Sequence, residues 1–317
     1  MIKAFALSAA VVISCAIFLY TLKPIVRDNN SYLAASIDKE KRLDTLSSPR
    51  IIFTGGSNLC FGLDAEKISN TFQLPVVDMS LHAGLGLFFI LNETKAGIRE
   101  GDVIILSTEY FLAGTDKKLA VQLVDVNPAA ATYFKANGKQ NFLKETKAFL
   151  ELSINDCQRC NSGLFYKAFP FFLTETNGSV YHRDQFDANG SMTGHLKLPQ
   201  PTLVLNRKME IISYHSQLEE LNSFIDYAKE KGATVYYAYP NYPQTAYTIN
   251  QAAIESFSQK MNNSLHCEII NTPQTFLYPD KYFFDLTYHL NKTGRELRTG
   301  TMIDLLKRKI RQLTAMP

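Results

Sequence analysis

Short apolar runs, regularly separated by helical stretches, are the feature that most constrains the fold of this chain. The runs are rich in Val and Ile and are bounded by Gly, Pro or polar residues, which is typical of buried strands. They lie at residues 51–53, 75–79, 102–107, 234–238 and 267–270. Helical patterns lie at residues 64–72, after Gly86 up to 96, at 207–231, at 250–263 and from 292 onward. Strands that alternate with such helices predict an α/β fold with a parallel sheet.

One long stretch interrupts this alternation. Residues 112–205 contain aromatic clusters and Gly and Asn turns, without a clear strand or helix pattern. We interpret this stretch as an insertion after the third strand of a single domain that covers residues 50–317. Residues 25–49 are polar and charged, and they predict a stalk or linker, or else a first surface helix, ahead of that domain.

The N-terminus carries an uncharged run of nineteen residues, 4–22. As a helix it would measure about 28 Å, close to the thickness of a bilayer core. Because it lacks the small-residue exit of a cleaved signal peptide, we predict an uncleaved transmembrane anchor within residues 1–24. Two interpretations stay open beside it: a lipobox that would make Cys15 a lipidated N-terminus, and a buried helix of the domain. The flanking charges are too balanced to orient the segment.

Composition excludes several other classes of protein. The chain has 317 residues, 33 Lys and Arg against 30 Asp and Glu, and 46% hydrophobic residues, so it is neither disordered nor collagen-like. A net charge of +3 gives no basic footprint for nucleic acid. Cys157 and Cys160 form a C-x-x-C pair without a second pair, so we expect a local disulfide outside the cytoplasm rather than a metal site. No cofactor fingerprint is present, and we predict none.

A candidate nucleophile follows the first predicted strand. Ser57 comes directly after Gly55 and Gly56 and before a helix. In an open α/β sheet, ligands bind at the carboxyl ends of the strands. A Ser in such a turn can present its hydroxyl beside the free N–H groups of a helix N-terminus, which supplies a nucleophile and part of an oxyanion hole. The alternative is an ordinary turn in which the Ser only caps the helix.

A candidate base and its orienting carboxylate lie near the C-terminus. A Ser nucleophile needs a base, and the base needs an acidic partner. Asp285 and His289 are close enough in sequence for one loop to provide both. Each of the two motifs is weak alone, but together, and in this order, they support each other.

In this order the residues resemble the SGNH (GDSL-like) hydrolase superfamily. Its first block is matched by Gly55-Gly56-Ser57, the Gly of its second block by Gly84, and its last block by Asp285, His289 and Gly294. The resemblance covers residues 51–111 and 207–313. It implies a three-layer, flavodoxin-like sheet with helices on both faces. It also implies a Ser57-His289-Asp285 triad, with the backbone N–H groups of Ser57 and Gly84 in the oxyanion hole.

Three departures from the family pattern are visible. Gly56 replaces the Asp of the first block, and three residues rather than two separate Asp285 from His289. The third block, Gly-x-Asn-Asp, is replaced by residues 107–110, so the Asn donor of the oxyanion hole is missing. Asn58 or Asn241 could substitute for it, although both also suit turns.

The departures resemble the membrane-anchored SGNH-like proteins of bacterial envelope polysaccharide pathways. The resemblance implies a periplasmic or cell-surface body and an acylated carbohydrate substrate, with acetyl as the expected acyl group. It also implies a multi-span membrane acyltransferase as a partner. We therefore expect an acylesterase or O-acyltransferase, between which the sequence does not choose. The alternative is a catalytically impaired SGNH-like module that binds glycan or a partner.

Overall fold

The structure is a computed structural model that describes residues 27–110, 114–134, 180–199, 208–209 and 214–314, together with parts of 6–18. Its strands are β1 Ile51–Gly55, β2 Val76–Asp78, β3 Val103–Ser107, β4 Thr234–Tyr237, β5 Tyr242–Pro243, β6 Glu268–Ile269 and β7 Leu277–Tyr278. Its helices are α1 Ala35–Thr45, α2 Ser57–Cys60, α3 Ala65–Phe72, α4 Leu87–Lys95, α5 Lys117–Val126, α6 His215–Glu230, α7 Gln244–Ser264 and α8 Lys292–Thr314. The predicted α/β class is confirmed.

Five strands form a parallel sheet in the order β2-β1-β3-β4-β6. This is a doubly wound order: strand β2 is added on one side of β1, and strands β3, β4 and β6 are added on the other side. In such sheets the ligand site lies at the carboxyl ends of β1 and β3, where the order of addition reverses. Strands β5 and β7 form a separate parallel pair. These two-residue strands are too short to leave a sequence pattern, and the sequence did not predict them.

The sheet is covered on both faces, as its continuously apolar strands require. On one face, Ile52 of β1 packs with α4, α6 and α7. On the other face, Ile51 and Phe53 pack with α3 and α8. Because successive side chains of a strand point to opposite faces, one strand serves both layers of the core.

Part of the segment 25–49, which the sequence predicts as a stalk or else a first surface helix, is helix α1. Helix α1 belongs to the body, and Ala34, Ala35 and Leu43 are buried there. Lys39 of this helix is also buried, and its ammonium group donates to the carbonyl oxygen of Asp78 at 2.7 Å. A charged sequence suggested a solvated segment, but the long Lys side chain reaches backbone acceptors beneath the helix.

The described ends of the insertion pack on the body as well. Leu123 of α5 and Met192 are fully buried in an aromatic cluster that also contains Tyr32 and Phe61. Tyr181 lies at the edge of the same cluster. The predicted disulfide between Cys157 and Cys160 lies outside the described residues.

The N-terminal run is described only in part. Its described residues are helical, and the large apolar side chains among them are 56–69% exposed, namely Leu7, Val11, Ile13, Ile17 and Phe18. Other residues of the predicted anchor, Cys15 among them, lie outside the described residues. Within the described part of the chain, no helix is both long and apolar enough to cross a membrane.

Candidate active site

Ser57 stands directly after β1, at the carboxyl edge of the sheet. It is the first residue of α2, and Gly56 is the N-cap residue. A Cβ on Gly55 would lie 1.9 Å from the backbone carbonyl oxygen of Ser107, so close packing requires glycine at that position. A Cβ on Gly56 would lie 1.9 Å from Oε2 of Glu109, so a larger residue there would displace that side chain. The Gly-Gly pair therefore lets β1 and its turn approach the end of β3.

His289 is held in a short loop whose two ends pair with each other. Phe283 and Leu290 form an isolated antiparallel bridge. The N–H of Phe284 donates to the carbonyl oxygen of His289 at 2.7 Å. The side chain of Asn291 then accepts from the N–H of Gly294, which caps the start of α8. This closed loop contains both Asp285 and His289 and keeps them near each other.

Three of the predicted site residues come together. The Nε2 atom of His289 lies 2.9 Å from Oγ of Ser57, and its Nδ1 atom lies 2.8 Å from Oδ1 of Asp285. These distances are within hydrogen-bonding reach, in the order that a nucleophile, a base and an orienting carboxylate require. The ring of Phe61 stacks on the imidazole with 3.8 Å between centroids and 4° between planes, so it fixes the plane of the base.

Asp285 has a second partner that the sequence did not reveal. The hydroxyl of Tyr181 donates to Oδ2 of Asp285 and lies 3.3 Å from Nδ1 of His289. Burial alone would raise the pKa of Asp285, but the hydrogen bond and charge of His289, together with the Tyr181 hydroxyl, hold that pKa below its usual value. The carboxylate is therefore kept ionised against the imidazole. Burial and the bond to Asp285 raise the pKa of Tyr181, so its proton stays on the phenol.

Glu109 is an unexpected acidic group at the nucleophile turn. Its Oε1 atom accepts from the backbone N–H of Asn58 at 3.0 Å, and its Oε2 atom lies against Gly56. The carboxyl group thus touches the residues on either side of Ser57. Burial raises its pKa, although hydrogen bonds from Asn58 offset part of that effect.

The other predicted donors are engaged elsewhere. The N–H of Gly84 donates to Nδ1 of His82 at 2.9 Å. The side-chain amide of Asn58 donates to the carbonyl oxygen of Ser107, and that of Asn241 donates to the carbonyl oxygen of Tyr288, both at 2.9 Å. Each of these bonds ties the Asn side chain to the backbone of another segment of the site.

Arg298 of α8 makes hydrogen bonds to both of these Asn residues. It is fully buried, and its guanidinium donates to the backbone carbonyl of Asn58, to the side-chain oxygen of Asn58 and to Oδ1 of Asn241. Burial lowers its pKa to about 10, so it still carries its charge at neutral pH. The last helix therefore pins the backbone next to the nucleophile.

The residues described in the structure include no group of three or more His, Cys, Asp or Glu side chains that could hold a metal ion. Cys60 lies one helical turn beyond Ser57 but is fully buried, and burial raises the pKa of its thiol to about 12. It therefore acts as a small apolar residue rather than as a nucleophile.

Comparisons with known proteins do not identify the chain. No protein-family model matches it. A search of curated proteins also finds no match.

Proposed function

We propose that this protein is a serine-dependent acylesterase or O-acyltransferase of the SGNH type. The observation that carries the proposal is the continuous hydrogen-bonded chain from Ser57 through His289 to Asp285 at the carboxyl edge of a parallel sheet. The resemblance of the sequence blocks supports the same chemistry. We further propose that the substrate is an acylated, most simply acetylated, envelope polysaccharide, a choice that rests on the resemblance alone.

The geometry supports a two-step acyl transfer. His289 Nε2 takes the proton of the Ser57 hydroxyl while Oγ forms a bond to the ester carbonyl carbon, whose π electrons move to oxygen. Collapse of this intermediate breaks the bond to the sugar oxygen, which takes the proton from His289. Water or a second sugar hydroxyl then attacks the acyl carbon and gives its proton to His289. The bond between that carbon and Oγ of Ser57 breaks, and Oγ takes the proton back from His289. The charge of Asp285 stabilises the imidazolium in both steps.

The backbone N–H of Ser57 is a donor for the negative charge that develops during the reaction. The N–H of Ser57 lies in the first turn of α2, where it has no acceptor within the helix. Such a group is pre-oriented toward the oxygen that becomes negative when Oγ attacks. We assign it to the oxyanion hole.

A covalent probe tests the proposed nucleophile. The full-length protein in detergent should be labelled by a fluorophosphonate, which reacts with activated serines, and Ser57→Ala should abolish labelling. Ser216→Ala is the matched control, because Ser216 is exposed on α6, outside the site. Equal labelling of the wild type and Ser57→Ala would refute the proposal.

Substrate and reaction type need a second assay. We expect release of acetate from acetylated polysaccharide, or its transfer to an added deacetylated glycan, with loss of both in His289→Ala. If His289→Ala keeps full biological function in cells while the wild type shows no turnover, the protein is instead a non-catalytic glycan- or partner-binding module.

We also propose that residues 4–22 anchor the body to a membrane, with the body outside the cytoplasm. This run has nineteen residues without a charge, and its described apolar side chains are exposed; both observations support the anchor. Full-length protein should remain in the membrane after alkaline carbonate extraction, and a variant without residues 2–24 should not. A C-terminal alkaline phosphatase fusion should be active. Retention that depends on Cys15, tested by Cys15→Ser, would indicate lipidation instead.

A further inference from the structure

The carboxyl group of Glu109 lies where an oxyanion hole is expected. It contacts Gly56, immediately before the nucleophile, and the N–H of Asn58, immediately after it. It also stands at the third residue of the segment 107–110, which is the place of the missing Asn donor in the sequence pattern.

An ionised carboxylate at this position would oppose catalysis. Two negative charges within a few ångströms repel each other, and the reaction creates a second one on the carbonyl oxygen of the substrate. The same carboxyl in its neutral form is a donor, because one oxygen carries an O–H group. Carboxylic acids kept neutral by an apolar site are known to serve as oxyanion donors in other enzymes.

The surroundings of Glu109 suit the neutral form. Oε1 is occupied as an acceptor by the N–H of Asn58, which leaves Oε2 to carry the proton. Burial is the largest influence on the group and raises its pKa, against the hydrogen bonds from Asn58 and the charge of His289, which lower it. The buried guanidinium of Arg298 donates its hydrogen bonds to Asn58 and Asn241 rather than to this carboxyl, although the charges of the two groups attract each other.

We propose that Glu109, in its protonated form, replaces the missing Asn and donates a hydrogen bond to the oxyanion formed when Ser57 attacks. This inference rests on the proposed function and adds a residue to the same site. When Oγ bonds to the carbonyl carbon, the π electrons move to the carbonyl oxygen. The O–H of Glu109 and the N–H of Ser57 donate to that oxygen without transferring a proton. Both bonds relax when the carbonyl reforms.

Two substitutions test this role through the rate of fluorophosphonate labelling, because the phosphonyl oxygen occupies the same hole. Glu109→Gln keeps the shape and a donor, and should label within about threefold of the wild type, whereas Glu109→Ala should label about 10²- to 10³-fold more slowly. The pH profile adds a second readout. Wild-type labelling should decline on the alkaline side as Glu109 ionises, and Glu109→Gln should lack that decline.

Other outcomes would overturn the assignment. Faster labelling of Glu109→Gln than of the wild type would show a repelling carboxylate, and equal slowing of Gln and Ala would show a role for the negative charge. Unchanged labelling of both variants would show that Glu109 is not part of the hole. Circular dichroism of each variant establishes that it is folded, and Glu109→Gln covers the case in which Glu109→Ala fails to fold. If Ser57→Ala is labelled as well as the wild type, the proposed function itself is refuted. The Glu109 assignment is tested separately, by the two Glu109 variants in a protein whose labelling depends on Ser57.

Discussion

The contact between Gly56 and Glu109 predicts that substitutions at the two positions are coupled. A Cβ at residue 56 would lie 1.9 Å from Oε2 and 2.3 Å from Oε1 of Glu109. Gly56→Ala therefore forces the carboxyl to retreat to an ordinary contact of about 3.5 Å or more. The retreat breaks the 3.0 Å hydrogen bond from the N–H of Asn58. A buried donor left without an acceptor costs about 1–3 kcal/mol, so the free energy of unfolding should fall by that amount.

The double substitution should cost less than the sum of its parts. Glu109→Ala alone also removes the acceptor of the Asn58 N–H, at about the same 1–3 kcal/mol. In Gly56→Ala/Glu109→Ala, the bond is lost only once and the new methyl group meets no carboxyl. The double variant should therefore be about as stable as either single variant, with a coupling free energy of about 1–3 kcal/mol.

Urea unfolding measures this coupling directly. The chain contains no Trp, so the transition is followed by circular dichroism at the helix band, with the full-length protein in non-ionic detergent. Gly55→Ala is the matched control, since its Cβ would lie 1.9 Å from the backbone oxygen of Ser107, which trimming Glu109 does not move. Gly55→Ala and Glu109→Ala should add within about 0.5 kcal/mol. If the destabilisations of Gly56→Ala and Glu109→Ala also added within about 0.5 kcal/mol, the assigned contact between Gly56 and the Glu109 carboxyl would be refuted.

Three further results are expected. Tyr181→Phe removes a hydroxyl that donates to Asp285 and helps to hold the pKa of that carboxyl low. The pKa of Asp285 should therefore rise in this variant, and urea midpoints should show its stabilisation being lost at a higher pH than in the wild type; an unchanged pH dependence would contradict that contact. The pKa of Asp285 is lower in the folded state, so its stabilisation is present above its unfolded pKa of about 3.9 and is lost as the pH falls through the folded value. Urea midpoints should show that loss in the wild type and not in Asp285→Asn. Arg298→Met leaves acceptors of Asn58 without donors and should lower the free energy of unfolding by about 2–4 kcal/mol in the same urea assay; an unchanged midpoint would show that the guanidinium is dispensable.

The sheet was predictable because its strands are buried on both faces. Strand β3, at Val103–Ser107, is a continuous apolar run bounded by polar residues, and no helix periodicity fits it. Helix α1 was not identified as part of the body, because the charged residues 38–42 resemble a solvated surface. Only the fold shows that Lys39 is buried over backbone carbonyls. Propensity and charge do not reveal such an acceptor.

The residues of the site differ in how far they could be predicted from the sequence. Ser57, Asp285 and His289 each lie in a short turn with its own local pattern, so their order was enough to bring them together. Tyr181 had no such pattern: it lies in the insertion, 104 residues away from Asp285. Glu109 had a positional signal, because it follows the third strand where a donor was missing. Its acidic side chain concealed that signal, since a donor role requires the neutral form.

The contacts of Tyr181 also bear on how the insertion can be studied. Its ring packs 5.5 Å from that of Tyr32 and 5.9 Å from that of Phe61, which in turn stacks on His289. The end of the insertion, the segment before β1 and the nucleophile helix therefore support one base–carboxylate pair. Deleting residues 112–205 would remove the donor to Asp285 along with everything else in that stretch. Loss of activity in such a deletion would not assign a separate binding role to the insertion. Tyr181→Phe removes that one hydroxyl and keeps the ring, so comparing it with the deletion distinguishes support of the active site from any other role of the insertion.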